Sequence, residues 1–304
     1  MAGRVFGKIK INKKQIGVYF FLLPALLLYF AFVLYPILFN FGYSLFHWLG
    51  AGPLEFIGFA NYIEIFKSDI FYNALKNTIV FFTIVFPIRT FLAFILAVFL
   101  SQKFRQKPII TKGNAFFRSI FLIPLLPSLV VSGYTWSFIF RHDGPLNAIF
   151  NLLNINFMEQ NWLGNPKLAL LVIAMVQVWN DFGYFLLIFY ANLINIPEDL
   201  YEAADIDGAN FIKKIWHISV PACRPSLIIV TIISFVGLFH TFDLPYIMTK
   251  GGPGHASETV ALLLVKQLGY YKFGYASAMS SILSIIVLIG SFLYLSRAIR
   301  SEVK

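Results

Sequence analysis

Six apolar stretches, each nearly free of charge, decide what this chain can become. An α-helix needs about 20 apolar residues to cross the hydrocarbon of a bilayer. Residues 16–38, 78–100, 120–140, 168–194, 227–248 and 276–295 each meet that length. The first, third and sixth runs hold no charged residue. The second is interrupted by Arg89, the fourth carries Asp181, and the fifth carries Asp243 near its end. With 59% hydrophobic and only 12% charged residues, the chain lacks the polar surface that a soluble domain of its length requires. The expected fold class is all-α and integral to the membrane, with six transmembrane helices. The first run is too long and too far from the terminus for a cleaved signal peptide, and no small-residue cleavage site follows it.

Lysine and arginine set the orientation of such a chain. Sixteen of the 24 fall in four places: the N-terminal segment, the loop after the second run (Lys103, Arg105, Lys107, Lys112, Arg118), the insert after the fourth (Lys213, Lys214, Arg224), and the tail. That side is expected to be cytoplasmic, with both termini. The organisation is then a cytoplasmic basic segment at 1–15, one membrane domain at 16–295 with a cytoplasmic insert at 197–224, and a cytoplasmic tail at 296–304. Membrane orientation accounts for the net charge of +10, and no nucleic-acid partner is expected. The single cysteine, Cys223, excludes an intramolecular disulfide and a cysteine metal cluster.

The insert is the least apolar part of the chain. Pro197 ahead of Glu198, Asp199 and Glu202 reads as a helix start: proline presets φ, and the acids suit the positive end of the helix dipole. Ala203, Ala204 and Ala209 are helix formers or small packing residues, and Gly208 permits a sharp bend. A second short helix is expected from Phe211 towards Ser219, stopped by Pro221. Two short helices with a kink suit the docking of a soluble partner. An ordinary interfacial amphipathic helix is the alternative reading of the same residues. No G-x-x-x-x-G-K-[ST] phosphate-binding loop occurs in the chain.

Glu202-Ala203-Ala204-x-x-Asp207-Gly208-Ala209, followed by Ile218-x-Val220-Pro221, resembles the EAA loop of permease subunits in binding-protein-dependent ABC importers. Ile215, beside Trp216, stands for the usual Phe, and Val220 for the usual Leu. Trp179, Ile196-Pro197, Leu200-Tyr201, Phe242-Asp243 and the 249–254 stretch Thr-Lys-Gly-Gly-Pro-Gly resemble the carbohydrate-uptake branch, in particular the maltose F-type and glycerol-phosphate A-type permeases. The resemblance implies a type I ABC importer permease fold in the cell membrane of a prokaryote. It implies an ATPase-coupling loop carried by Glu202, Ala203, Ala204, Asp207, Gly208, Ala209 and Pro221. The implied partners are a second, related permease, two copies of a cytoplasmic ABC ATPase and an extracytoplasmic solute-binding protein. ATP and Mg would reside on the ATPase, with no cofactor in this chain. The implied substrate is a sugar: a mono-, di- or oligosaccharide, a polyol or a glycerol phosphate.

Polar residues inside the membrane are costly and usually face a bundle interior or a cavity. Gln177, Asn180, Asp181 and Tyr184 recur three or four residues apart in the fourth run and are expected on one helix face. Ser234, Phe239, His240 and Thr241 lie in the fifth run, and Ser277, Ser281 and Ser284 in the sixth. Hydrogen-bonding side chains beside aromatic faces suit a sugar, and the resemblance places substrate contacts on the fourth and fifth spans. Gln177, Asn180, Asp181, Tyr184, Ser234, Phe239, His240 and Thr241 are therefore the candidate substrate contacts, with Tyr184, Asn180 and Asp181 foremost. Other roles compete: Asp181 pairs with Arg89, His240 is a hydrogen-bonded bundle residue, and Ser277 and Ser281 pack helices. No metal set or nucleophile triad is visible, and the five histidines are scattered. An ion-coupled transporter using Asp181, Arg89 and Asp243 as a relay is the main rival, and a lipid-modifying membrane enzyme is the second.

Overall fold

A computed structural model describes residues 13–101 and 120–302. Most of the basic segment 1–15, the cations of 103–118 and Lys304 lie outside the described residues. In chain order, α1 (Lys13–Tyr29) runs through a π turn (Phe30–Leu34) into α2 (Tyr35–Tyr43). A small antiparallel hairpin of β1 (Phe46–His47) and β2 (Glu55–Phe56) follows, with Phe46 opposite Phe56. Then come α3 (Ala60–Phe66), α4 (Asp69–Ser101), α5 (Leu129–Ile139), α6 (Pro145–Leu152) and α7 (Ala169–Ile194). The insert holds α8 (Asp199–Ile206), α9 (Phe211–Lys214) and α10 (Val220–Ala222). The remainder is α11 (Arg224–Phe239), α12 (Asp243–Thr249), α13 (Val260–Gly269) and α14 (Phe273–Glu302).

Among the described residues, four helices are long and apolar enough to cross a membrane: Phe21–Tyr43, Asp69–Ser101, Ala169–Ile194 and Phe273–Arg300. The pair Phe211–Ala222 and Arg224–Phe239, bent by 66°, makes a fifth when counted together. Helix α4 has 33 residues, a length of about 50 Å at 1.5 Å per residue. It therefore begins well before the apolar run that marks it in the sequence.

Two expected spans are not single helices. In 120–140 the helix yields to a 3-10 turn at Ile123–Leu125, where Pro124 and Pro127 withhold backbone donors. It restarts at α5 behind Ser128, whose hydroxyl accepts the Val131 N–H at 3.3 Å. In 227–248, α11 ends at Phe239. His240 Nδ1 lies 2.8 Å from the Val236 carbonyl, and the Thr241 hydroxyl donates to the Gly237 carbonyl at 3.1 Å. These side chains take over carbonyls of the last turn, and the chain restarts at α12 with Pro245 in its first turn.

The most extensive helix pairing is α4 with α7. Ala93 and Ala97 let the backbones approach, and Phe182, Phe185, Leu186 and Phe189 fill the seam together with Cys223 and Val230. Gly183 lies so close to the Phe121 carbonyl that a Cβ has no room there. The stacked rings of Phe99 and Phe211, 6.0 Å apart, place the Ser101 end of α4 beside the insert. At the opposite end a second core joins Phe71, Ala74, Phe239, Val260 and Met279. A tight turn forms there as expected, with left-handed φ of 53° at Lys250, 83° at Gly251 and 54° at Gly254. Asn77 holds the turn to α4 by donating to the carbonyls of His255 (2.8 Å) and Glu258 (3.0 Å). The buried Glu258 carboxylate is held by Lys266 at 2.6 Å and by His255.

Within the chain, none of the apolar window of Phe21–Tyr43 is buried. Its far end, α2, packs on the start of α14, where Asn40 Nδ2 donates to the Ser281 hydroxyl at 3.3 Å and the Ser277 carbonyl at 3.4 Å. Ser281 itself donates to the Ser277 carbonyl at 2.8 Å, so this serine packs helices.

Candidate functional site

The insert is an elbow with a locally encoded shape. Helix α8 carries Asp199 and Glu202 in its first turn. It ends on two bonds that close a Schellman motif: Gly208 N–H to the Asp205 carbonyl (3.0 Å) and Ala209 N–H to the Ala204 carbonyl (2.8 Å). That closure needs a left-handed residue at its centre, and Gly208 supplies φ of 71°. Two of the alanines, Ala204 and Ala209, are thus the donor–acceptor ends of the closure. Asn210 then caps α9, its side-chain oxygen accepting the Lys213 N–H at 2.9 Å. Pro221 does not stop the second helix, contrary to expectation. The chain continues helically through a π turn (Ile215–Ser219) into α10, where proline occupies the first turn and its missing donor costs little. The real break is at Cys223, where the chain bends into α11.

Three side-chain bonds fasten the elbow. The Lys214 ammonium meets the Asp205 carboxylate across the Gly208 bend. Tyr201 and Ser219 share a hydrogen bond of 3.0 Å. Burial pushes the Tyr201 phenol above its ordinary pKa, and the Ser219 bond opposes part of that rise. Asn192, near the end of α7, donates to the Ala222 carbonyl at 2.9 Å. The outer surface of the elbow is apolar beside Glu202, Ala203 and Asp207, all of which are exposed: Ile206 is 87% exposed, and Leu200, Phe211, Ile212 and Trp216 are also exposed.

The second polar site lies where α4, α7 and α11 meet. Arg89 is only 2% exposed. Its Nη1 donates to Asp181 Oδ2 at 2.7 Å and its Nη2 to the Ser234 hydroxyl at 2.7 Å. Gln177 Nε2 donates to the same Asp181 oxygen at 2.6 Å, and the guanidinium stacks over the Phe185 ring at 3.9 Å. Arg89 Nε and Gln177 Oε1 are buried without a hydrogen-bond partner.

The residues expected on one face of the fourth span therefore divide three ways. Gln177 and Asp181 turn to Arg89. Asn180 turns to the third segment and donates to the Pro124 carbonyl (3.0 Å) and the Ser132 hydroxyl (3.1 Å). Tyr184 is exposed, its ring edge-on to Phe185 at 5.3 Å. In α11, Ser234 is committed to Arg89 and Phe239 is buried against Phe82 and Phe235; just past its end, His240 is exposed and Thr241 partly exposed. The pairing of Asp181 with Arg89 is the one weighed from the sequence. Ser234 as its third member and the apolar outer surface of the elbow escaped that reading. The isoleucines at 206 and 212 amid charged neighbours were the available signal for the latter.

Residues 65–299 match the family described as binding-protein-dependent transport system inner membrane component. This chain belongs to that family. It is a membrane-embedded transport permease. It is 35% identical to the arabinooligosaccharides transport system permease protein AraP of Bacillus subtilis, over 93% of this chain and 88% of that one. It is 30% identical to the trehalose/maltose transport system permease protein MalF of Thermococcus litoralis, over 97% of each. It is 35% identical to the probable ABC transporter permease protein YurN of B. subtilis, over 91% of this chain and 94% of that one. The same fold occurs in a crystal structure of a bacterial alginate ABC transporter in complex with an alginate pentasaccharide-bound periplasmic protein. There the TM-score is 0.78 at 18% identity, covering 93% of each chain.

Proposed function

We propose that this permease forms one half of the membrane pathway of an ATP-driven importer for a sugar or oligosaccharide. The observation that carries the reading is the elbow at 197–222, a preformed polar-and-apolar handle on a chain otherwise built for lipid. The full-length likeness to permeases named for trehalose/maltose, arabinooligosaccharides and lactose supports a carbohydrate substrate. In this reading the broken segments around α5 and around α11–α12 each complete a crossing, giving six. Both termini and the elbow face the cytoplasm. A second, related permease completes the pathway. Two ATPase copies bind from the cytoplasm, and one of them grips this elbow through Glu202, Ala203, Ala204, Asp207, Gly208, Ala209 and Pro221. ATP and Mg are held by the ATPases, and this chain holds no cofactor. An extracytoplasmic binding protein delivers the substrate. Closure of the ATPases moves the attached helices as rigid bodies and switches access from one side to the other.

The substrate path draws on Tyr184, Asp181, His240 and Thr241, the accessible members of the polar set, while Gln177, Asn180, Ser234 and Phe239 stand behind them. The test is uptake of labelled maltose-, lactose- and arabinose-type oligosaccharides into vesicles holding the permease pair, the ATPase and the binding protein. Uptake should need ATP and the binding protein and should withstand an ionophore. Uptake that persists without the ATPase and collapses with the ion gradient overturns the reading.

A further inference from the structure

We propose that Asp205 and Lys214 are positioning residues that make the elbow stiff enough to transmit force; the inference rests on the coupling role given to the elbow above. The pair spans the Gly208 bend and joins α8 to the last residue of α9. A glycine in the left-handed region closes the turn but leaves the two arms free to hinge about it. The ion pair adds a second point of attachment across the hinge, and the Tyr201–Ser219 bond adds a third between α8 and the π turn that follows α9. Three attachments fix an angle where one fixes only a pivot.

The burial of Lys214 decides between this role and an incidental surface contact. Exposed ion pairs contribute little, because water screens them and two long side chains must be ordered. The Lys214 side chain is 6% exposed, whereas Asp205 is 40% exposed. A buried ammonium needs a partner, so Lys214 is constrained to its carboxylate while the carboxylate has water as an alternative. The interaction therefore holds the α9 arm to α8. Neither residue belongs to the Glu-Ala-Ala…Gly pattern of the insert, and Lys214 is buried whereas Ile206 and Ile212 are exposed.

The asymmetry selects the variants. Asp205→Asn leaves a buried charge without its counter-ion and perturbs folding as well as stiffness. Lys214→Met keeps the stem and removes the charge, leaving a carboxylate that water can solvate, so it isolates the loss of attachment. The exchange Asp205→Lys with Lys214→Asp restores a pair of the same combined reach. Spin labels at Ala203 and Ile212, both exposed, read the angle of the elbow in the purified permease without any ATPase. Sugar imported per ATP hydrolysed reads force transmission in the reconstituted transporter.

The expected result for Lys214→Met is a broadened label-to-label distance distribution, normal co-purification of the ATPase, and at least a fivefold fall in sugar imported per ATP. The exchange should narrow the distribution again and bring the ratio to within twofold of wild type. An unchanged distribution in Lys214→Met, or a broadened one with wild-type stoichiometry of transport, overturns the proposal. So does an exchange variant that fails on both measurements. Failure of the wild-type permease to retain an ATPase is a different outcome: it removes the coupling reading and leaves the distance measurement to judge stiffness alone.

Discussion

At the scale of single residues, the Arg89–Asp181 ion pair is costly to bury and costlier to break. Arg89 is surrounded by hydrocarbon-like packing, and its charge is tolerated because Asp181, Ser234 and the Phe185 face are all in reach. Removing one member of such a pair costs about 3–5 kcal/mol, because the other is left uncompensated. Asp181→Ala should therefore lower the thermal midpoint of the detergent-solubilised protein markedly. Arg89→Met combined with Asp181→Leu should recover most of that loss. A double variant no more stable than Asp181→Ala contradicts this account. Tyr184 should behave differently. Its side chain is exposed and supports no core, so Tyr184→Ala should raise the KM for uptake while leaving expression and assembly with the partners intact. The ion pair was legible in the sequence because Arg89 and Asp181 are opposite charges deep in apolar runs. The role of Asn180 was not. Its main partner is a backbone carbonyl at a proline break, and a freed carbonyl leaves no mark in residue spacing.

At the scale of elements, the breaks in the third and fifth segments matter more than their length. Hydropathy marks both as apolar and is blind to where the helical bonds stop. Those stops depend on prolines and on which side chains recapture carbonyls. Asn180 is the recapture for Pro124. Leaving a buried polar group without its partner costs about 1–3 kcal/mol, so Asn180→Leu should destabilise the protein by that order in thermal melts. It should also loosen the contact between α5 and α7, read as faster hydrogen exchange around residues 120–135. The elbow was far better signalled, because its caps, glycine and alanines are local devices with fixed spacing; only the continuation past Pro221 was misread. A Cβ at position 208 meets open space, so substitution there acts through the backbone alone. A left-handed residue with a side chain costs about 1–2 kcal/mol, and asparagine bears it best. Uptake should rank wild type above Gly208→Asn and Gly208→Asn above Gly208→Val, with Glu202→Ala also lowering sugar imported per ATP. Equal uptake across the series contradicts the coupling role proposed for the elbow.

At the scale of the whole molecule, the first helix is the unfinished part. It is long enough to cross the membrane, yet its apolar window is uncovered along its length within this chain. Lipid satisfies such a surface, and so does a neighbouring subunit. A photoreactive lipid should label positions all round 21–34, ahead of the part that packs on α14, when the chain is made alone, and one stripe of that helix should become protected when the second permease is co-expressed. Uniform labelling in both cases contradicts a shared interface there.

The shape of the elbow has a consequence for the working life of the complex. Its closure is made by its own backbone, before any visitor arrives. In the coupling role proposed for the elbow, an ATPase that seats on it finds the shape ready made, and association surrenders little conformational entropy. Such a joint favours engines that remain bolted to the pore from one turnover to the next, rather than engines recruited afresh for each molecule carried.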